Sequence, residues 1–133
     1  MPTAKPRLIL ADDYRDLLGE LVLLLQKDFN VVATAKDGVD LVSAVREHKP
    51  DVVVTDVKMP RLGGIQASRE ILGEHLCPAI VLLTGHNERE LVNTAFEAGV
   101  RGYVLKINAG DDLVPAVHDA LDGRTFISRD VNR

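Results

Sequence analysis

The feature that most constrains this chain is a regular alternation between short apolar runs and longer segments with helical spacing of their apolar residues. The runs lie at 8–11, 31–35, 52–55, 79–83 and 102–105. Most of them lack polar alternation, as expected for parallel strands that helices cover on both faces. The pattern is typical of successive βαβ units.

The segments between the runs predict five helices. The first covers about 14–27, the second ends near His48, and the third covers 65–75. The fourth begins at Asn87, where Glu90 completes a capping box, and ends at Gly99. The fifth stops at Gly123 and carries Pro115 within about its first turn, where a missing N–H is tolerated.

Parallel crossovers are right-handed almost without exception, so five β/α units have few available topologies. We expect an α/β fold, a doubly wound, flavodoxin-like five-stranded parallel sheet of order 2-1-3-4-5. The length of 133 residues fits one domain. We place this domain at 1–123, and residues 124–133 form a tail that docks on it or begins a linker.

Polar side chains stand where four of the predicted strands end: Asp12 and Asp13, then Asp56, Thr84 and Lys106. In a doubly wound sheet these ends meet at the ligand-binding edge. Taken singly, Asp13 is more simply a helix cap, Thr84 a strand-end residue and Lys106 a solvated terminus. Adjacent carboxylates repel unless a cation is present, and a shallow oxygen site suits Mg²⁺. Beside Mg²⁺ and a lysine, one carboxylate can attack a phosphoryl group.

The motifs at these positions resemble the receiver domains of two-component response regulators, over about 7–123. These motifs are the acidic pair Asp12-Asp13; Asp56 followed by Met59-Pro60 and Gly64; Thr84-Gly85; and the segment from Gly102 to Lys106. The final segments, 99–106 and 123–128, look most like receivers of the NarL/FixJ (LuxR-type) group. In that group the receiver controls a C-terminal helix-turn-helix domain, for which too few residues follow here; we expect an excised receiver or a stand-alone regulator.

The resemblance implies a role for each site residue. Asp56 would accept phosphate from a histidine kinase or a small phosphodonor. Mg²⁺ would contact Asp13, Asp56 and the backbone carbonyl of Lys58, with Asp12 helping through water. Lys106 would pair with phosphoryl oxygens. Thr84 and Tyr103 would form the switch; otherwise Tyr103 is an ordinary, half-buried strand aromatic.

The sequence departs from many receivers after the lysine, where Ile107 replaces a proline. Lys58 and His86 occupy variable positions that border the site. They tune hydrolysis of the acyl phosphate or are simply solvated loop residues.

Charge and hydropathy limit the partners. A net charge of −4 without a basic run disfavours direct nucleic-acid binding, so DNA contact would need a further domain. The apolar runs are too short for a membrane span, and the N-terminus lacks the apolar core of a signal peptide. We expect a cytoplasmic protein.

The predicted domain would dimerise through the first and fifth helices, or through the fourth helix, fifth strand and fifth helix.

Two other functions are compatible with parts of this pattern. A pseudo-receiver would bind partners without phosphate, but such domains usually lose the aspartate, the lysine or the acidic pair. An aspartate-nucleophile phosphatase would need a second acid two residues after Asp56, where Lys58 stands. We therefore expect a signalling switch rather than an enzyme.

Overall fold

The sheet is parallel throughout and has helices on both faces. The computed structural model describes residues 4–131. Its strands are β1 (Arg7–Ala11), β2 (Asn30–Ala35), β3 (Val52–Thr55), β4 (Ala79–Thr84), β5 (Gly102–Leu105) and β6 (Phe126–Ile127), and its helices are α1 (Arg15–Leu25), α2 (Gly38–His48), α3 (Gly64–Gly73), α4 (Arg89–Glu97) and α5 (Ala109–Leu121). The strand order is β2-β1-β3-β4-β5-β6. The predicted order is confirmed, and one strand is added to it.

The added strand corrects the predicted count of five. Phe126 and Ile127 pair in parallel with Gly102 and Tyr103 of β5. Both are only partly buried. Two apolar residues form too short a pattern to predict a strand. This strand forms because Phe126 and Ile127 pair with β5, and a local preference of the two residues does not explain it.

Alternate residues of each central strand enter two separate cores. Ile9 and Val53 pack with α2, α3 and α4, whereas Leu8 and Val52 pack with α1 and α5. All four side chains are fully buried. Because neighbouring strand residues point to opposite faces, a sheet covered on both sides needs the uninterrupted apolar runs seen in the sequence.

Two helix boundaries differ from the predicted ones. The fourth helix starts at Arg89 rather than Asn87, and within residues 4–131 no side chain caps it, so the predicted capping box is wrong. Pro115 lies inside α5 rather than in its first turn. A 3-10 turn at Lys106–Asn108 leads directly into α5. The helix therefore begins earlier than the helical spacing of its apolar residues predicts, and Pro115 falls after its first turn. Gly99 does adopt the predicted left-handed conformation, with φ +100°.

One glycine is required by a close backbone approach at the C-terminal edge of the sheet. A Cβ on Gly64 would lie 1.9 Å from the carbonyl oxygen of Asp56. The amide of Gly64 also donates to the carbonyl of Val57 at 2.7 Å. The start of α3 is thus pressed against the end of β3, which fixes the backbone around Asp56.

Gly64→Ala should lower the free energy of unfolding by about 2–4 kcal/mol, because the new methyl group forces the Asp56 carbonyl and α3 apart. Gly19→Ala is the matched control. Gly19 lies inside α1 with nothing within 4 Å of an added Cβ, so this variant should gain about 0.5–1 kcal/mol. Urea unfolding followed by circular dichroism measures both, and equal effects would contradict the packing described here.

Candidate functional site

Three carboxylates meet at the C-terminal edge of the sheet. Asp12 follows β1 and Asp56 follows β3, and the amide of Asp56 donates to the carbonyl of Ala11 at 2.9 Å. Each of Asp12, Asp13 and Asp56 has an oxygen within 4.8 Å of the other two. Asp12 is 1% exposed and Asp56 6%, whereas Asp13 is exposed. The site therefore has two buried acids and one acid at its rim.

Lys106 supplies a positive charge to the buried acids. Its Nζ lies 2.9 Å from Oδ2 of Asp12 and 2.9 Å from Oδ2 of Asp56. Burial favours the neutral amine, but hydrogen bonds to the two carboxylates, together with their charges, outweigh it and hold the pKa of Lys106 above its ordinary value. The lysine thus remains charged and bridges the ends of β1 and β3.

The other carboxylate oxygens are held by main-chain amides. Asp56 Oδ1 accepts from the amide of Val57 at 2.7 Å. Asp12 Oδ1 accepts from the amide of Tyr14, the residue that precedes α1, at 2.9 Å. The side chain that accepts a hydrogen bond from the main chain at the start of α1 is therefore that of Asp12, and Asp13 does not serve as the helix cap. In the described part of the chain, the buried Asp12 Oδ2 has the ammonium of Lys106 as its ion-pair partner and no other polar partner.

The loop between β3 and α3 begins at Asp56. Thr55 Oγ donates to the carbonyl of Asp56 at 3.0 Å. Lys58 is exposed on this loop, two residues after Asp56. Its side chain takes no part in the ion pairs of the acidic cluster, and the role of its carbonyl as a metal ligand stays a prediction.

Thr84 and Tyr103 meet at one residue, His86. Thr84 is fully buried at the end of β4, and its Oγ accepts from the amide of His86 at 3.2 Å. The Tyr103 hydroxyl donates to the carbonyl of His86 at 2.6 Å. Tyr103 is fully buried, so the alternative of a half-buried strand aromatic is wrong. The main chain of His86 therefore links the two predicted switch residues, and the sequence did not show this link because any residue supplies the same amide and carbonyl.

The environment of Tyr103 disfavours its ionisation. Burial, followed by the charges of Glu88 and Asp56, raises the pKa of Tyr103 above its ordinary value of 10.0. The neutral hydroxyl is also the form that can donate to His86. Burial thus keeps the Tyr103 hydroxyl neutral, and the neutral hydroxyl keeps its hydrogen bond to His86.

Comparison with known proteins identifies this arrangement. Residues 8–118 match the family model described as "Response regulator receiver domain". The chain belongs to the receiver domains of two-component response regulators. These domains are signalling switches, and they generally bind Mg²⁺ in an acidic pocket like the one formed by Asp12, Asp13 and Asp56.

Curated relatives are transcriptional regulators. The transcriptional regulatory protein PdtaR of Mycobacterium tuberculosis is 38% identical over 116 residues, which are 86% of this chain and 56% of PdtaR. The uncharacterised transcriptional regulatory protein YxjL of Bacillus subtilis is 37% identical over 125 residues, 92% of this chain and 57% of YxjL. The chain therefore spans about half the length of the curated relatives it matches.

Solved structures of the LuxR and NarL type share the fold. A LuxR-family two-component response regulator from Aurantimonas sp. SI85-9A1 superposes with a TM-score of 0.89 at 33% identity, covering 96% of this chain and 93% of that one. The signal receiver domain of the putative response regulator NarL from Mycobacterium tuberculosis gives a TM-score of 0.86 at 29% identity, covering 92% and 100%. The predicted resemblance to receivers of the NarL/LuxR type is confirmed. No helix among residues 4–131 is both long and apolar enough to cross a membrane.

The variant Tyr14→Phe leaves Tyr103 as the one tyrosine of the chain. Its phenolate absorbance should rise only well above pH 10, and it should rise together with the loss of the helical circular dichroism signal. The pKa of Tyr103 is raised in the folded state, so its contribution to stability is present below pH 10 and is lost as pH rises through the folded pKa. Phenolate forming near pH 10 with circular dichroism unchanged would contradict the buried, hydrogen-bonded position of Tyr103.

Proposed function

We propose that this receiver domain takes a phosphoryl group from a histidine kinase onto Asp56 in a Mg²⁺-dependent reaction. The observation that carries the proposal is the position of Lys106 Nζ, 2.9 Å from both Asp12 and Asp56 inside a cluster of three carboxylates. A purely structural ion pair needs one acid for one lysine. The surplus of negative charge at this edge instead suits a site that also takes a divalent cation.

The residues present fit Mg²⁺. One carboxylate oxygen from each of Asp12, Asp13 and Asp56 lies within 4.8 Å of the other two, and in the described structure the one positive partner of the two buried acids is Lys106. Hard oxygen donors of this kind are the ligands that Mg²⁺ prefers. We assign Asp13, Asp56 and the Lys58 carbonyl as direct ligands, with Asp12 acting through water. Bound Mg²⁺ would neutralise charge on the transferring phosphoryl oxygens.

In the transfer, a carboxylate oxygen of Asp56 forms a bond to phosphorus while the bond from phosphorus to the kinase's imidazole nitrogen, or to acetate in acetyl phosphate, breaks. Lys106 exchanges its contact with Asp56 for one with a phosphoryl oxygen. The side chain of Lys106 is 28% exposed, and this partial burial makes its charge act more strongly than it would in bulk water.

The signal would leave the site through Thr84 and Tyr103. Thr84 Oγ turns from the His86 amide to the phosphoryl oxygen, and the 84–86 turn moves with it. Because Tyr103 is bonded to the carbonyl of the same His86, its inward position depends on that turn. Phosphorylation then shifts a population between two conformers of the α4, β5 and α5 face.

The partners follow from the same proposal. A sensor histidine kinase supplies the phosphoryl group, and the output is transcriptional control through a DNA-binding domain C-terminal to the receiver. Dimerisation would use either α1 with α5 or the α4-β5-α5 face. In one solved structure two RcsB dimers are bound to two parallel DNAs, and that RcsB chain is 26% identical to this one, of which it covers 96%. A pseudo-receiver is the weaker alternative, because all the acids and Lys106 are in place.

Incubation with Mg²⁺ and acetyl phosphate should add one phosphoryl group, seen by intact mass, and Asp56→Asn should abolish the addition. Asp51→Asn is the matched control, since it alters the same residue type in the exposed position before β3. Lys106→Ala should slow the reaction roughly tenfold to hundredfold, because it removes the charge that stabilises the transferring group.

Phosphoryl transfer to Asp56→Asn at the wild-type rate would show that the acceptor is wrongly assigned. Unchanged NMR spectra after beryllofluoride and Mg²⁺ are added to the wild type would favour the pseudo-receiver. Repeated turnover of a generic phosphate ester would favour the phosphatase.

Thr84→Ala should retain phosphoryl transfer within about threefold of wild type, because the hydroxyl supplies neither the nucleophile nor the lysine charge. It should lose most of the conformational response, measured as the chemical-shift changes of α4 and β5 amides on adding beryllofluoride. Thr94→Ala, which removes a hydroxyl bonded to the Glu90 carbonyl within α4, serves as control. A full response in Thr84→Ala would contradict its role in the switch.

A further inference from the structure

The segment after α5 is bound to β5, the strand that ends directly before Lys106. The amide of Phe126 donates to the carbonyl of Arg101 at 2.9 Å, and the amide of Ser128 donates to the carbonyl of Tyr103 at 3.0 Å. These bonds place Ser128 beside the end of β5, just before Lys106.

The side chain of Ser128 makes two further hydrogen bonds there. It is fully buried, and its Oγ lies 2.8 Å from Oδ2 of Asp112 and 3.1 Å from the amide nitrogen of Leu105. An ionised carboxylate can only accept, so the hydroxyl proton points to Asp112 and a lone pair faces the Leu105 N–H. Ser128 therefore ties the residue before Lys106 to the first turn of α5.

A second contact holds the other end of the turn that carries Lys106. Asn108 Nδ2 donates to Oδ2 of Asp130 at 2.9 Å. Between the two contacts, Ile107 is 83% exposed, so its side chain does not anchor the turn by packing. The 3-10 turn at Lys106–Asn108 is thus fastened at both ends by the tail.

We propose that Ser128 is a positioning residue for phosphoryl transfer: it fixes the backbone at Leu105 and so directs Lys106 toward Asp12 and Asp56, with Asp130 in a supporting role. This inference rests on the function proposed above for Lys106. A lysine ammonium stands at the end of four flexible methylene groups, so the direction of its Cα–Cβ bond decides which acids it can reach. Misplacement of a reacting group by about 1 Å can slow a reaction by roughly 10²-fold.

The test compares phosphorylation rates by acetyl phosphate for the wild type, Ser128→Ala, Lys106→Ala and the double variant, all in the full chain. Ser128→Ala should slow phosphorylation roughly fivefold to twentyfold. In the Lys106→Ala background the same substitution should change the rate by less than about twofold, because the group it positions is gone. Hydrogen exchange at the Leu105 amide should also become faster in Ser128→Ala.

Ile71→Val provides a control for lost stability. Ile71 is fully buried in α3 and makes none of the hydrogen bonds that hold the turn at Lys106–Asn108, and its truncation should destabilise the fold without slowing phosphorylation more than about twofold. If Ser128→Ala does not fold, Asp112→Ala takes its place, since Asp112 is only partly buried and its loss frees the Ser128 hydroxyl. The same loss of rate and the same dependence on Lys106 are expected of it.

Wild-type rates in Ser128→Ala, or equal slowing with and without Lys106, would overturn the positioning role alone. A wild-type protein that gains no phosphoryl group on Asp56 would overturn the proposed function as well. The two failures are therefore distinguished by the wild-type measurement.

Discussion

The interaction on which the site depends is the contact of one ammonium with two buried carboxylates. Asp12 and Asp56 are 1% and 6% exposed, and burying a carboxylate without a counter-charge is energetically costly. Lys106 lies 2.9 Å from both, and it joins β1, β3 and β5 at a single point. In the reaction that we propose, the same ammonium leaves Asp56 for a phosphoryl oxygen, so one lysine serves the site before and after transfer.

The sheet makes this contact possible because its two cores fix the strand ends. Val53 is buried against α2, α3 and α4, and Val54 against α1 and α5, so the end of β3 cannot rotate or slide without exposing apolar surface to water. The close approach of Gly64 to the Asp56 carbonyl adds a second restraint. Rigid strands thus hold the acids at their ends, whereas the group that we expect to move on phosphorylation is the segment 84–86, where β4 ends.

The sequence predicted those parts of the molecule that follow from periodicity and topology. The strand order is confirmed, and Asp12, Asp13, Asp56 and Lys106 lie together because parallel strands end at the same edge. The predictions for the start of α4 and the position of Pro115 were wrong, and the sixth strand was not predicted. They depend on contacts formed only after folding, such as the bonds from β6 to β5. The partner of the Tyr103 hydroxyl is a main-chain carbonyl, which no side-chain pattern reveals.

The two-residue strand β6 also has a consequence for solubility. Without it, β5 would form an open edge of four buried residues, with main-chain groups free to pair with a strand from another molecule. β6 covers part of this edge and replaces it with a much shorter one. The segment after α5, which holds the turn at Lys106–Asn108, therefore also blocks a route to sheet extension and aggregation.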